Sequence, residues 1–211
     1  MGNRKGTVFV VDDDASLRSG LARLLRAAGH VVEMFDSAEA YLTARPQRQG
    51  PSCLVLDVMM PGRSGIELQA ELNALCSRIP IIFVSGQGSI PVAVRALHEG
   101  AATFLEKPLD PDALLIAVDV ALARHATFLE RERQLAALRR RHTSLTPRER
   151  QVFTGVVAGQ LNKQIAFDLG ITEKTVKAHR GRLMEKMAAG SVAELVRMAE
   201  RLSREQAEDW P

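Results

Sequence analysis

The sequence predicts an α/β domain built on a five-stranded parallel sheet, followed by a smaller domain made only of helices. The first domain is predicted because short apolar runs alternate with segments of helical periodicity, and because polar residues follow four of those runs. The second is predicted because four short segments of helical pattern, and no strand-like run, follow residue 144. The 211 residues of the chain suit two small domains of this kind.

The five predicted strands are short runs rich in apolar and β-branched residues. The segment after the first run has apolar residues at helical spacing, at Leu17, Leu21 and Leu24. The predicted strands are 8–11, 31–35, 53–56, 81–84 and 102–105. The predicted helices are 16–28, 38–44, 65–75, 91–99 and a last helix that begins at Pro111. Five βα units in succession favour a parallel, doubly wound sheet with helices on both faces.

The last helix of the first domain is predicted to continue beyond the sheet. Residues 112–142 contain no Pro or Gly, and Leu115, Leu122 and Leu129 recur every seven residues. Two interpretations remain open. Either a final helix packs on the sheet and extends into a charged linker, or the stretch also pairs with a second subunit.

The second domain opens with a helix-capping sequence. Thr146 is placed to cap the helix that begins at Pro147, and Glu149 completes a capping box. The predicted helices are 147–158, 162–169, 173–187 and 191–202, followed by a polar, loose tail to residue 211. The predicted boundaries are a first domain at 1–122, a helical linker at 123–143 and a second domain at 144–211.

The composition favours a cytoplasmic protein without a membrane segment. No apolar run approaches the roughly 20 residues needed to span a bilayer, and the first residues lack the apolar core of a signal peptide. Cys53 and Cys76 each lie in an apolar setting, so we expect two buried free thiols. Acidic residues outnumber basic ones up to residue 122, whereas basic residues predominate from 123 to 202. This asymmetry fits a regulatory module joined to one that binds a polyanion.

Polar side chains follow four of the five predicted strands. Asp12 and Asp13 follow the first strand, and Asp57 follows the third. Ser85 follows the fourth strand, and Lys107 comes shortly after the fifth. Because ligands of open α/β sheets lie beyond the carboxyl ends of the strands, we expect these side chains to meet at one edge.

This set of side chains favours a divalent cation and a phosphoryl group. Adjacent carboxylates form a hard oxygen site that suits Mg²⁺. Asp57 is placed to act as a nucleophile that forms an acyl phosphate. Lys107 would neutralise the transferring charge, and Ser85 would donate a hydrogen bond to a phosphoryl oxygen. The Lys107-Pro108 peptide is a candidate for a cis bond.

Residues 6–122 resemble the receiver domain of two-component response regulators. The matching motifs are Val11-Asp12-Asp13, Asp57-x-x-Met60-Pro61-Gly62-x-Ser64-Gly65, Ser85-Gly86 and Lys107-Pro108. The resemblance implies a flavodoxin-like fold with Asp57 as the phosphoacceptor. It implies that Asp13 and Asp57 bind Mg²⁺ directly, that Asp12 assists through water, and that the Met59 backbone carbonyl completes the protein ligands. It also implies that Ser85 and Phe104 form the switch pair, with Ser standing where the family more often has Thr.

The predicted helix at 173–187 divides into an apolar and a basic face. Val176, Leu183 and Met187 mark the apolar face. The basic residues of this helix are Lys174, Lys177, Arg180, Arg182 and Lys186. A DNA recognition helix is divided in this way, with one side toward the core and one toward the groove. Charge alone fits a solvated helix surface equally well.

Sequence detail beyond charge favours DNA binding. The motifs Leu145-Thr146-x-Arg148-Glu149, Asn162-Lys163-x-Ile165-Ala166, Leu169-Gly170-Ile171 and Thr175-Val176-Lys177-x-His179 closely resemble the helix-turn-helix of LuxR/NarL-type regulators. With the loop Gly86-Gln87-Gly88, the chain is similar to the FixJ-like subgroup. The resemblance implies that Lys177, Ala178 and Gly181 face the major groove and that Arg180 and Arg182 lie near bases or phosphates. Lys163, Lys174 and Thr175 are expected to contact phosphates.

Together these features predict a transcriptional response regulator of a two-component system. A sensor histidine kinase would phosphorylate Asp57, and the surface around 91–99, 102–105 and the last helix would then form a homodimer. The dimer would bind promoter double-stranded DNA and, with RNA polymerase as a further partner, activate transcription. One alternative is an enzyme with an aspartyl nucleophile, although such enzymes commonly place that residue after the first strand. Another is a receiver that acts as a phosphate-independent interaction module.

Overall fold

The computed structural model describes residues 6–44, 46, 50–86 and 90–208. The chain divides into two compact units, with the division between Glu130 and Arg131. Within the described residues, no helix has both the length and the apolar character that a membrane span requires. Residues 87 and 88 of the predicted glycine-rich loop and residues 209–211 of the predicted tail lie outside the described part of the chain.

The first unit contains a parallel sheet of five strands with helices on both faces, which confirms the predicted fold class. The strands are β1 Thr7–Val11, β2 Val31–Phe35, β3 Ser52–Asp57, β4 Ile81–Ser85 and β5 Thr103–Glu106. The helices are α1 Ala15–Ala27, α2 Ala38–Ala44, α3 Gly65–Ala74, α4 Ile90–His98 and α5 Pro111–Thr143. The strand order is β2-β1-β3-β4-β5, so β3 lies in the middle of the sheet.

The register of the strands brings the predicted site residues to one edge. All neighbouring strands run parallel, so every strand presents its carboxyl end on the same side. Val11 pairs with Leu56 across β1 and β3, and Ser85 pairs with Glu106 across β4 and β5. The residues that follow β1 therefore lie beside the end of β3, and those that follow β5 lie beside the end of β4, on the same edge.

Two apolar layers hold the sheet, one on each face. Phe9 contributes to the layer that packs with α2, α3 and α4, whereas its neighbours Val8 and Val10 contribute to the layer with α1 and α5. The central strands are buried on both faces, which explains why their sequences are continuous apolar runs without alternation. Leu114 and Leu122 of α5 belong to the second layer.

A glycine allows α3 to begin directly against the end of β3. Gly65 is buried, and its N–H donates a hydrogen bond to the Val58 carbonyl at 3.0 Å. A Cβ at this position would collide with the backbone carbonyl oxygen of Asp57 and touch the Leu56 side chain. Ser64 and Glu67 form a capping box that fixes the start of the helix. The close approach of α3 therefore positions the backbone at Asp57.

The second unit is built from helices around a separate apolar core. Its helices are α6 Pro147–Val157, α7 Asn162–Leu169, α8 Glu173–Met187 and α9 Val192–Glu208. Thr146 and Glu149 form the predicted capping box, and Thr172 caps α8. Gly170 adopts φ of 64° in the turn between α7 and α8, a conformation that glycine tolerates without strain. The core includes Val152, Ile165, Val176, Leu183 and Leu195.

Two expectations differ from the structure. Helix α9 continues to Glu208, beyond its predicted end at 202, because no Pro or Gly interrupts it. Cys53 is buried as predicted, and burial raises the pKa of its thiol to about 12. The prediction of a buried Cys76 is wrong: this free thiol is exposed just after α3, where the backbone turns with φ of 53°.

We predict that Gly65→Ala destabilises the first unit by roughly 1–3 kcal/mol, because the added methyl group must displace α3 or the end of β3. Urea unfolding followed by circular dichroism measures the change. Gly20→Ala is the matched control, since a Cβ there meets no atom within 4 Å and Gly20 lies inside α1. We expect the control to stabilise the helix by up to about 1 kcal/mol. Equal effects of the two substitutions would contradict the packing constraint at Gly65.

Candidate functional site

Three carboxylates converge at the carboxyl edge of the sheet. Asp12 and Asp13 follow β1, and Asp57 is the last residue of β3. One oxygen from each lies within 4.8 Å of the others, with Asp12 and Asp57 buried and Asp13 exposed. Such a group of hard oxygen donors matches the preference of Mg²⁺.

Lys107 brings a positive charge into this cluster from the end of β5. Its Nζ donates hydrogen bonds to Asp57 Oδ2 at 2.7 Å and to Asp12 Oδ2 at 3.0 Å. The Lys107 backbone N–H donates to the Ser85 carbonyl at 2.8 Å, and the Lys107–Pro108 peptide is cis, as predicted. The predicted convergence of these side chains on one edge is therefore present.

The charges of the cluster depend on one another. Burial raises the pKa of Asp12, although hydrogen bonds from Lys107 and from the Asp14 backbone act in the opposite direction. Burial alone would lower the pKa of Lys107, but its hydrogen bonds to Asp57 and Asp12 outweigh burial and leave this pKa raised. One ammonium group among three carboxylates leaves an excess of negative charge, which a divalent cation would complement.

Both oxygens of Asp57 have hydrogen-bond donors that fix the carboxylate. The Met59 backbone N–H donates to Asp57 Oδ1 at 3.1 Å, and Lys107 binds Oδ2. Met59 thus lies beside the site, with its side chain exposed to solvent. Its carbonyl as a metal ligand remains a prediction.

Ser85 and Phe104 lie on the same face of the neighbouring strands. Ser85 is fully buried at the end of β4, two residues after Phe83. Phe83 pairs in register with Phe104 of β5, and their ring centroids are 6.5 Å apart. Phe104 is half-buried. Ser85, at the carboxyl edge of the sheet, therefore shares one face of β4 and β5 with Phe83 and Phe104.

Helix α8 presents the divided surface that the sequence predicts. Val176, Leu183 and Met187 are buried in the core of the second unit. The opposite side exposes Lys174, Lys177, Ala178, Gly181 and Arg182. Lys163 is exposed on α7, the preceding helix. Two helices joined by a tight turn, with the second one basic on its outer side, form a helix-turn-helix.

Residues 8–119 match the family model of the response regulator receiver domain, and residues 143–199 match that of bacterial regulatory proteins of the luxR family. The chain is 46% identical to nodulation protein W of Bradyrhizobium diazoefficiens, over 94% of this chain and 87% of that protein. It is 42% identical to the transcriptional regulatory protein FixJ of the same bacterium, over 93% of this chain and 96% of that protein. A solved structure of the response regulator StyR has 47% sequence identity and a TM-score of 0.85, covering 93% of this chain and 98% of that one.

This chain belongs to the response regulators. It combines a receiver domain with a LuxR-type DNA-binding domain, which confirms the family predicted from its motifs. The match to the receiver ends at residue 119 and the second match begins at residue 143, so neither family model covers the middle of α5.

Arg18, which sequence reasoning missed, stabilises the turn after β1 that carries Asp12 and Asp13. Arg18 Nη1 donates a hydrogen bond to the Asp12 carbonyl oxygen at 2.6 Å. Asp14 caps α1, and its backbone N–H donates to Asp12 Oδ1 at 2.8 Å. The position of Arg18, one helical turn after the cap, is the signal in the sequence that could have found it.

A groove of about 480 Å³ lies beside the acidic site, between α1 and the start of α5. Lys107 and Asp14 line it at the end nearest the carboxylates. Its apolar lining comes from Leu17, Leu21, Leu24, Leu109 and Leu114. Gly20 belongs to the same lining, and a Cβ there would point into open space. A partner seated in this groove would reach Lys107, whose Nζ binds Asp57.

The basic residues of α8 do not all face solvent. Arg180 is half-buried, and its Nη1 donates a hydrogen bond to Asn162 Oδ1 of α7 at 2.9 Å. Thr175 lies in the first turn, where its N–H donates to Thr172 Oγ1 at 3.2 Å. The Thr175 hydroxyl also lies within hydrogen-bond distance of Thr172 Oγ1, at 2.9 Å. The expected DNA contacts of Arg180 and Thr175 remain predictions, but both side chains already have a hydrogen-bond partner within the helix-turn-helix.

Lys186 forms an ion pair that joins α8 to the start of α6. Its Nζ lies 2.7 Å from Oε2 of Glu149, which is buried. Hydrogen bonds from Lys186 and from the Thr146 backbone lower the pKa of Glu149 to about 2. This ion pair therefore stabilises the domain most when Glu149 is ionised.

We predict that the ion pair contributes stability above pH 4.5, the ordinary pKa of Glu149, and that this contribution is lost as the pH falls toward about 2. Glu149→Gln keeps a side-chain acceptor for the capping box and removes the charge. The unfolding free energies of the two proteins should therefore differ most at neutral pH and converge in acid. A difference that stays constant across the titration would exclude the ionised pair as its source.

Proposed function

We propose that this response regulator works in the cytoplasm as a transcription activator that a sensor histidine kinase phosphorylates on Asp57. The observation that carries the proposal is the position of the Lys107 ammonium, 2.7 Å from Asp57 and 3.0 Å from Asp12, the two buried carboxylates of the cluster. The same chain carries a LuxR-type DNA-binding domain, which supports promoter DNA as the ligand whose binding phosphorylation controls. The proposed domain boundaries remain 1–122, 123–143 and 144–211.

In the proposed reaction a phosphoryl group is transferred in line to Asp57. A carboxylate oxygen of Asp57 attacks phosphorus, and the bond between phosphorus and the donor histidine breaks. Lys107 then donates a hydrogen bond to a phosphoryl oxygen and stabilises the developing charge. Asp12, Asp13, Asp57 and the Met59 carbonyl would hold Mg²⁺, which when bound neutralises charge on the carboxylates and the phosphoryl group.

Ser85 and Phe104 are the proposed switch pair, which would pass the conformational change from the phosphorylated Asp57 to the surface around α4, β5 and α5. In this proposal the Ser85 hydroxyl moves to donate to a phosphoryl oxygen, and the half-buried Phe104 ring turns inward beside Phe83. The phosphoryl group shifts the population of states only as far as it binds one state better than the other.

Exposed apolar side chains support a dimer surface beside β5. Val94 and Leu97 on α4 are exposed, as are Ile116 and Val120 on α5, at 66% and 64%. Apolar groups concentrated on two helices of a receiver domain favour burial against a second copy. Phosphorylation would stabilise this homodimer and place two α8 helices on a DNA site with inverted half-sites.

The exposed basic side of α8 is the proposed DNA-reading surface. Lys177, Ala178 and Gly181 would face the major groove, with Arg180 and Arg182 near bases or phosphates. Lys163, Lys174 and Thr175 would contact phosphates and fix the register. RNA polymerase is the proposed partner of the bound dimer.

Asp57→Asn should abolish phosphorylation, because an amide is a poor nucleophile and lacks the negative charge that Lys107 and Mg²⁺ bind. Incorporation of labelled phosphate from acetyl phosphate with Mg²⁺ measures the loss. Asp36→Asn is the control, since Asp36 is an exposed carboxylate outside the cluster. Undiminished labelling of the Asp57 variant would exclude this residue as the acceptor.

The groove beside Asp57 is the proposed seat of the kinase, and Gly20→Leu should block it. A Cβ at position 20 meets no atom within 4 Å, and Gly20 lines the groove, so the new side chain would extend from α1 into the space that the partner needs. Phosphotransfer from the kinase should fall by about tenfold or more, a loss equivalent to roughly 1.4 kcal/mol of contact. Labelling by acetyl phosphate should stay unchanged, and Gly20→Ala should behave as wild type. Equal losses with both donors would show damage to the site, and no loss with the kinase would exclude the groove.

A further inference from the structure

Phe167 on α7 is almost fully exposed. Its exposed fraction of 88% is the largest among the large apolar side chains in the part of the chain that the structure describes. Leu161, at the N-terminal cap of the same helix, is 69% exposed. Both residues belong to the DNA-binding unit.

The fold does not require an apolar ring at this position. Helix α7 packs on the core through Ile165 and Ala166, which are buried. Phe167 lies two residues after Ile165, about 200° around the helix, so it points away from that core. Exposed apolar surface of this size is unfavourable in water and commonly marks a contact with a partner.

The polar neighbours of Phe167 are already held by the protein. Gln164 accepts a hydrogen bond from the Leu161 backbone N–H at 2.7 Å, and Asp168 accepts one from Gln160 at 2.9 Å. The outer face of α7, defined as Leu161, Lys163, Gln164, Phe167 and Asp168, is therefore an ordered surface with two apolar groups and a polar rim. This composition is typical of a small protein–protein contact with an aromatic anchor.

The position of this face relative to DNA follows from the helix-turn-helix. In this motif the first helix crosses the DNA backbone while the second enters the major groove. Asn162, at the start of α7, is bonded to Arg180 of α8, so this end of α7 lies against the recognition helix. Lys163 shares a side of α7 with Phe167, one turn away. Phe167 is therefore placed beside bound DNA. Its apolar ring makes no favourable interaction with the charged phosphate groups there, so DNA itself is not the expected partner of the ring.

We propose that the outer face of α7, anchored by Phe167, is the surface through which the DNA-bound regulator contacts RNA polymerase. The partner must present an apolar surface to the Phe167 ring, and it must be bound to the adjoining DNA. A polymerase at the same promoter is bound there. A second copy of the regulator is the less suitable occupant, because dimerisation is already proposed for the exposed apolar groups of α4 and α5. The inference rests on the proposed function and assigns the contact with RNA polymerase to the outer face of α7.

The test separates DNA binding from activation in the full-length, phosphorylated chain. The probe is a DNA fragment selected by the wild-type protein from genomic DNA and shown to carry a promoter. Phe167→Ala should leave the affinity for this fragment within about twofold of wild type, while transcription by purified bacterial RNA polymerase at saturating regulator falls about tenfold. Phe167→Tyr keeps the ring and should restore most of the activation.

Photo-crosslinking identifies the occupant directly. A photoreactive phenylalanine analogue at position 167 should label a polymerase subunit when regulator, DNA and polymerase are mixed. Labelling of the DNA, or of a second regulator chain in place of polymerase, would overturn the proposal. A parallel loss of DNA affinity in Phe167→Ala, or unchanged transcription, would also overturn it.

Failure of the proposed function gives a different pattern. A wild-type protein that does not bind DNA more tightly after phosphorylation would contradict the phosphorylation switch, whatever Phe167 does. A wild type that binds but does not stimulate transcription would overturn both the activator role and the contact. Normal wild-type activation with an unaffected Phe167→Ala variant would overturn the contact alone.

Discussion

The ion pairs from Lys107 to Asp57 and Asp12 connect the ends of β1, β3 and β5 at one edge of the sheet. Two buried carboxylates placed side by side repel each other, and the ammonium group offsets that repulsion. Its position depends on the turn after β5, where the Lys107 N–H is bound to the Ser85 carbonyl. It also depends on Gly65, whose missing side chain lets α3 begin against the backbone of Asp57. The site is thus a consequence of how closely neighbouring elements approach.

Contacts between neighbouring helices also decide which basic side chains of the DNA-binding unit are exposed to solvent. Lys186 forms an ion pair with Glu149, and Arg180 donates a hydrogen bond to Asn162, so these two basic groups help to hold the helices together. Lys174, Lys177 and Arg182 remain exposed on the outer side of α8. A count of basic residues along the helix cannot make this distinction, because the partners lie on α6 and α7. Fewer basic groups of α8 are therefore exposed without a partner inside the domain than its charge suggests, although Arg180 stays part of the proposed DNA surface.

Much of the fold was predictable because periodicity and capping are local properties. The predicted strand positions agree with the observed ones to within one residue at each end, and Thr146 forms the expected capping box. Errors arose where the answer depended on neighbours distant in the chain or on small differences in helix stability. Cys76 is exposed although apolar residues surround it in sequence, and α9 extends past its predicted end. Arg18 was missed although it lies one helical turn after the cap of α1, because its bond to the Asp12 carbonyl oxygen appears only in the folded chain. Phe167 was missed because an aromatic residue within a helix has no local pattern that separates an exposed ring from a buried one.

The sequence by itself determined which residues form strands and helices, and which polar side chains follow the strand ends. Those features depend on side-chain type and spacing over a few residues. The sequence placed Lys107 at the same edge as the carboxylates, but only the tertiary structure decided that its Nζ binds Asp12, 95 residues away in the chain. The tertiary structure alone also made Gly65 the residue at which α3 approaches β3. It also decided that the Phe167 ring stays in solvent while Ile165 is buried. Burial and pairing depend on the packing of elements from distant parts of the chain, which local spacing does not encode.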